Sequence, residues 1–341
     1  MISERENFFK MARGEEREFV PAVMNLFQLV IPTVRADKPY GDVAGVDGFG
    51  RRWIKPEGQP VIPDPAQAPL LTEIERWTTD VNWPKLPELD WEAAAKRDVP
   101  RRDGERILMV QLTSGPFERL HDLMGFEAAL VATVTDPEIC EAFFARFCDY
   151  RIEQLSYIKE YYNPDLIQFH DDWGSQEDLL ISPEFWRTAL MPHVKRVVDA
   201  CHELGMLFNM HTCGRVDRIL DDIVGMGVDM IDSMMVCNDL DRWMADYGRK
   251  VIFMGGLDSQ GVIDRSDATP ADLRREVKSR IHRYASKGNY FPMTYCTGPN
   301  VPMTLLFAAW YGYTYNGVLR GLPRFLKFLG KLKSIAAEQA K

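Results

Sequence analysis

His211 and Cys213 stand two residues apart in His211-Thr212-Cys213-Gly214, directly after the apolar run 206–210. In extended backbone, residues i and i+2 point to one face. An imidazole and a thiol at this spacing can therefore reach one ion. These are preferred donors of zinc, whose catalytic sites keep three protein ligands and one open position. Cys296, in Cys296-Thr297-Gly298-Pro299 at the end of the run 290–295, is the expected third ligand. A histidine and a cysteine two apart carry little information by themselves. What singles out this pair is its place at a strand end, with another thiol at an equivalent end. Cys237, after Met234-Met235-Val236, is the competing thiol. Cys140, Cys148 and Cys201 fall inside helical patterns, where a buried thiol behaves as a small hydrophobe.

Carboxylates occupy other strand ends. Asp171 and Asp172, in His170-Asp171-Asp172-Trp173-Gly174, are candidate catalytic residues that would orient a ligand, supply an acid or complete a metal shell. The alternative is a helix cap, a common use of aspartate. Asp258, in Gly255-Gly256-Leu257-Asp258, carries the same two readings. Gly256 allows close approach of backbone to a ligand. With Ser233 at another strand end, Gly256 and Asp258 form the expected substrate-binding set.

The elements that must position these groups are legible from residue 106 onward. Apolar runs at 107–112, 166–169, 206–210, 230–234, 251–254 and 290–295 alternate with amphipathic segments near 116–130, 137–161, 183–204, 215–226, 239–248 and 270–287, and a helical stretch closes the chain at about 302–338. Continuous apolar strands alternating with helices imply βα units and a parallel sheet. No GxGxxG follows the first strand, which removes support for a dinucleotide-binding sheet. Polar and small residues follow all six runs. Strand C-termini converge on one face of a (β/α)8 barrel, whereas an open sheet concentrates its site at one switch point. The expected fold is therefore an α/β, (β/α)8 TIM barrel over 106–341, with six strands legible and the others hidden or in the N-terminal third.

Residues 1–105 carry Pro32, Pro39, Pro56, Pro60, Pro63, Pro65, Pro69, Pro84, Pro87 and Pro100. Proline fixes φ and removes a donor, so an irregular N-terminal extension packed on the barrel is expected, part of it lining the mouth of the site. A short helix at 3–13, a turn at Asp47-Gly48-Phe49-Gly50 and a strand at 51–54 are expected within it.

The 341 residues carry a net charge of −9, which disfavours nucleic acid, a ligand held mainly through Lys and Arg. The first residues are charged, and no apolar run approaches the ~18 residues that span a bilayer. A cytoplasmic enzyme with reduced thiols and no membrane partner is the expectation.

These motifs together resemble the uroporphyrinogen decarboxylase superfamily, and within it the zinc-dependent methyltransferases that work with corrinoid proteins. The resemblance covers nearly the whole chain. It rests on Asp47-Gly48-Phe49-Gly50-Arg51-Arg52-Trp53, Asp171-Asp172-Trp173-Gly174-Ser175-Gln176, Ile181-Ser182-Pro183, His211-Thr212-Cys213-Gly214, Gly255-Gly256-Leu257-Asp258-Ser259-Gln260 and Cys296-Thr297-Gly298-Pro299. It implies a decarboxylase-type barrel with zinc on His211, Cys213 and Cys296, and a corrinoid carried by a partner protein. The arginine-rich N-terminal pattern with which true decarboxylases hold porphyrinogen carboxylates is missing. The implied reaction is transfer of a methyl group from a small methylated donor, such as an aromatic methyl ether, to cobalt. The alternatives are transfer from methyl-corrinoid to a thiol or tetrahydrofolate, metal-free decarboxylation, and a ligand-binding barrel without turnover.

Overall fold

The structure, a computed structural model, describes residues 1–34, 44–57 and 61–339; Pro39 and Pro60 lie outside the described residues. The strands, in chain order, are β1 (Phe27–Val30), β2 (Gly45–Val46), β3 (Arg52–Ile54), β4 (Ile62–Pro63), β5 (Ile107–Leu112), β6 (Leu166–His170), β7 (Leu207–His211), β8 (Met230–Met234), β9 (Ile252–Gly256) and β10 (Tyr290–Met293). β5 to β10 lie where the six apolar runs place them. β6 and β7 each extend one residue further, to a histidine. The chain divides into two compact units. One contains Met1–Gln28, Arg102–Ile107 and Asp229–Lys341, and the other Leu29–Arg101 and Leu108–Val228.

In the Leu29–Val228 unit, β5, β6 and β7 pair in parallel, with Gln111 opposite Gln168, Gln168 opposite Asn209, and His170 opposite His211. β2, β3 and β4 form a small antiparallel sheet. The helix Pro137–Tyr161 begins at a proline, which suits the first helical turn because its missing N–H had no partner there. It buries Phe143, Phe144, Phe147 and Tyr150. Phe49 joins this layer, its ring centroid 5.5 Å from that of Tyr150 and 5.6 Å from that of Trp83. The segment near 116–130 is two helices, Pro116–Met124 and Phe126–Thr135, that meet at Gly125. The helix expected near 215–226 is confined to Leu220–Gly225.

The turn at Asp47 is held by its own carboxylate. Asp47 Oδ1 accepts from the N–H groups of Phe49 and Arg51, and Oδ2 from Trp53 Nε1 at 3.0 Å and Arg119 Nη1 at 2.6 Å. Both charged side chains of the Asp47–Arg119 pair are fully buried, and the Arg119 guanidinium also lies over the Phe49 ring at 4.3 Å.

In the other unit, β8, β9 and β10 pair in parallel, with Pro292 opposite Gly255 and Met293 opposite Gly256. The helix Pro270–Tyr284 starts at a reciprocal Thr269–Asp272 capping box, which satisfies two otherwise unpaired N–H groups. Ser3 caps the helix Glu4–Ala12. Phe19, Ala22, Ala309, Tyr313 and Phe328 form a core against which Leu306, Phe325 and Leu329 pack. Glu4 is buried beside this core. It accepts from Tyr313 Oη at 2.7 Å and Asn25 Nδ2 at 3.3 Å. Burial pushes its pKa from 4.5 to about 7, against the pull of the Tyr313 hydrogen bond and Arg324. Among the described residues, no helix is long and apolar enough to cross a membrane.

Two outcomes follow. Asp47→Ala takes from a buried Arg119 its nearest carboxylate and is expected to cost about 3 kcal/mol in urea unfolding; a loss below about 1 kcal/mol would show that other groups carry the guanidinium. Glu4 favours the folded state when protonated. Its contribution is full below pH 4.5 and fades as pH rises through about 7. Glu4→Gln is therefore expected to gain on the wild type over that window, by up to about 3 kcal/mol. Parallel stability–pH curves for the two proteins would refute this.

Candidate functional site

The loops after β6 and β7 are joined along their length. The Asp171 N–H donates to the His211 carbonyl, the Trp173 N–H to Thr212 Oγ1 and the Gly174 N–H to the Cys213 carbonyl. Gly214, at φ +81°, closes this contact: a Cβ there would lie 2.2 Å from the Gly174 carbonyl. Gly174 and Gly214, one from each loop, thus let two backbones touch.

Asp171 is fully buried. Its carboxylate accepts from Glu118 N at 2.8 Å, Phe117 N at 3.3 Å and Trp173 Nε1 at 2.8 Å. It caps the N-terminus of Pro116–Met124 from another loop, where helix N–H groups lack intrahelical partners. Gly115 makes room, since a Cβ there would lie 2.3 Å from the Asp171 Cβ. Burial, and then the Glu118 charge, push the Asp171 pKa well above the usual carboxylate range, against the pull of these three donors.

Glu118, placed by that capped turn, accepts from or shares a proton with His170 Nδ1 at 2.8 Å. The His170 ring stacks on that of His211, with centroids 4.1 Å apart and planes 13° apart. His211 Nε2 lies 3.4 Å from Cys213 Sγ. Asp172 Oδ1 accepts from the Cys213 N–H at 2.7 Å and lies 3.8 Å from His211 Nε2. His170, Asp172 and His211 bring donor atoms within 4.8 Å of one another, a candidate metal site. The fit to zinc can be tested on the expected pair. Tetrahedral bonds of about 2.0 Å to nitrogen and 2.3 Å to sulfur put the two donors about 3.5 Å apart. The His211–Cys213 separation meets this requirement.

The remaining expected residues lie in the other unit. Cys296 is half-buried, three residues beyond β10, with Sγ 3.1 Å from Thr294 Oγ1. Thr294 Oγ1 in turn is 2.8 Å from Ser259 Oγ. Asp258 caps the turn that follows it, accepting from Gly261 N at 2.7 Å. Ser233 is buried at the end of β8, and Gly256 ends β9. Cys237 accepts weakly from Asn238 Nδ2 at 3.7 Å. Cys140, Cys148 and Cys201 are buried; burial pushes the Cys140 thiol up to about 12, which suits an inert structural thiol.

His170 and Glu118 were missing from the expected site. For His170 the signal was present, since it ends its strand as His211 does. For Glu118 there was none, because its partner lies 52 residues away in sequence.

The family model for uroporphyrinogen decarboxylase (URO-D) matches residues 48–303. No curated protein matches the chain. Among solved structures, a methyltransferase from Methanosarcina mazei aligns at a TM-score of 0.64 and 14% identity, over 90% of this chain and 97% of that one. At that identity the likeness shows the fold alone. A dihydropteroate synthase from Anaplasma phagocytophilum aligns at 0.35 and 17% identity, over 58% of this chain and 70% of that one, too low a score to carry an argument. A family match over most of the chain, on strands that alternate with helices and end in polar residues, makes the chain a member of the uroporphyrinogen decarboxylase family, with its α/β barrel fold.

Proposed function

We propose that this chain is a zinc-dependent methyltransferase that moves a methyl group from a small methylated donor, with an aromatic methyl ether as the leading case, to the cobalt of a separate corrinoid protein. The observation that carries this reading is the 3.4 Å separation of His211 Nε2 and Cys213 Sγ, which suits zinc and needs no rearrangement. Cys296 is the proposed third ligand, on its place after β10 and the motif it belongs to. Zinc held there supplies Lewis acidity to a leaving phenoxide or alkoxide.

The chain's own residues do the rest. Asp172 fixes the backbone of Cys213, and so the direction of its thiol. Asp171 holds the turn that carries Glu118, and acts on the site through that turn. Ser233, Gly256 and Asp258 are the proposed contacts to the donor. In the reaction, cobalt(I) of the partner provides the electron pair for the new carbon–cobalt bond. The methyl C–O bond breaks, and the oxygen takes up a proton and departs as a phenol.

Purified protein is expected to carry about one zinc per chain, and Cys213→Ala or Cys296→Ala to release it. Full retention by the double variant, read by elemental analysis, would overturn the ligand assignment; loss in Cys237→Ala but not Cys296→Ala would move the third ligand to Cys237.

With a reduced corrinoid protein and a methoxylated aromatic, the enzyme is expected to produce methyl-cobalt, seen by its absorption spectrum, and a free phenol. Zinc removal is expected to lower kcat more than it raises KM. Asp172→Ala is expected to lower both zinc content and rate. Methyl-cobalt that is instead consumed by a thiol or tetrahydrofolate would reverse the direction. Release of carbon dioxide from a carboxylated substrate without zinc would replace the reading with decarboxylation.

A further inference from the structure

The two imidazoles of the site cannot share one ion as they stand. An ion bonded to an imidazole nitrogen lies in the plane of that ring, at about 2 Å. The rings of His170 and His211 are stacked, with centroids 4.1 Å apart and planes 13° apart. Stacked carbon atoms approach no closer than about 3.5 Å. An ion in the plane of one ring therefore stands about that far from the plane of the other, well beyond bonding reach. One histidine binds, and the other does something else.

The surroundings tell which. His211 Nε2 has the thiol of Cys213 beside it at 3.4 Å. His170 has Nδ1 engaged by Glu118 at 2.8 Å. Its side chain is only 18% exposed, and that of Glu118 10%. The backbone of Glu118 is anchored, because its N–H is held by the buried Asp171 carboxylate at 2.8 Å. His170 is thus a flat ring locked against turning and laid on the face of its neighbour.

We propose that His170, locked by Glu118, is a positioning residue: it fixes the ring plane of the ligand His211, so that His211 and Cys213 keep a metal-binding separation before the ion arrives. This rests on the zinc reading above. It concerns prepayment of ordering: a ring already held in place loses less freedom on binding, and groups that orient metal ligands are commonly worth ten- to a hundredfold in affinity.

The test compares ring loss with ring replacement in the full chain. Zinc affinity is measured by competition with a chromophoric chelator, and ligand geometry by the visible spectrum of the cobalt(II)-substituted protein. His170→Phe with Glu118→Gln keeps a flat ring but no nitrogen, and leaves no carboxylate facing the new ring. It keeps the ring but not the lock, and is expected to bind zinc only severalfold more weakly than wild type, as a freed ring does, with the same cobalt spectrum. His170→Ala is expected to bind about ten- to a hundredfold more weakly, with a shifted spectrum that keeps its thiolate band. Should His170→Ala fail to fold, Glu118→Ala, which frees the ring without removing it, is expected to show a severalfold loss of affinity. The proposal is overturned if the phenylalanine variant loses as much as the alanine variant, which would make His170 a ligand. It is equally overturned if His170→Ala or Glu118→Ala binds as wild type does. A wild-type chain that takes up no zinc would overturn the zinc reading itself, and this inference with it.

Discussion

The buried carboxylate of Asp171 is the constraint on which the β5–β7 side of the site depends. A carboxylate without solvent is costly unless it is richly hydrogen-bonded. This one offsets part of the cost by taking two N–H groups at the start of the helix Pro116–Met124 and the indole N–H of Trp173. The arrangement fastens the loop after β6 to the helix after β5. Glu118, His170 and the contact with the His211 ring are hung from that joint. The capped turn sets Glu118, Glu118 sets His170, and His170 lies on His211. From the other side, Asp172 sets the backbone of Cys213. Two adjacent aspartates thus act in opposite directions along the chain, one into the scaffold and one towards the thiol.

The same economy is visible in the arginines. Arg151 is fully buried and donates to the carbonyls of Thr113 and Ser114, both at 2.6 Å. Those carbonyls belong to the turn between β5 and the helix that Asp171 caps. Arg119, one residue beyond Glu118, is pinned by Asp47 at 2.6 Å. Charges buried in this way are poor sources of net stability and strict about geometry, since a misplaced partner leaves a bare charge. In this unit they hold the loops that hold the site.

The strands were legible because continuous apolar runs bounded by polar residues have few other readings, and the long helix because Pro137 marks its start. The paired donors His211 and Cys213 were legible for a local reason, the two-residue repeat of extended backbone. Gly125, which splits one expected helix into two, lies within an apolar pattern that continues across it, so the hydrophobic period does not register the break. The Asp171 cap and the Glu118–His170 contact span more than fifty residues. Contacts of that kind leave no spacing to read; they arise only when parallel strands bring successive loops side by side. An aspartate most often caps the helix that directly follows it. The structure has Asp171 cap a helix that precedes it in the chain.

Donor chemistry gives this local order its direction. Asp172 and Cys213 both lie within 4 Å of His211 Nε2, one offering oxygen and the other sulfur. Their commitments differ. Asp172 Oδ1 already accepts the Cys213 N–H, and engaging a metal through that oxygen would weaken the bond that places the thiol. Cys213 Sγ can bind without loosening that bond, and a thiolate with an imidazole favours zinc over the harder oxygen-seeking cations. The local hydrogen bonding therefore favours the proposed roles, the sulfur as ligand and the carboxylate as its support. That ordering follows from two side chains competing beside one nitrogen.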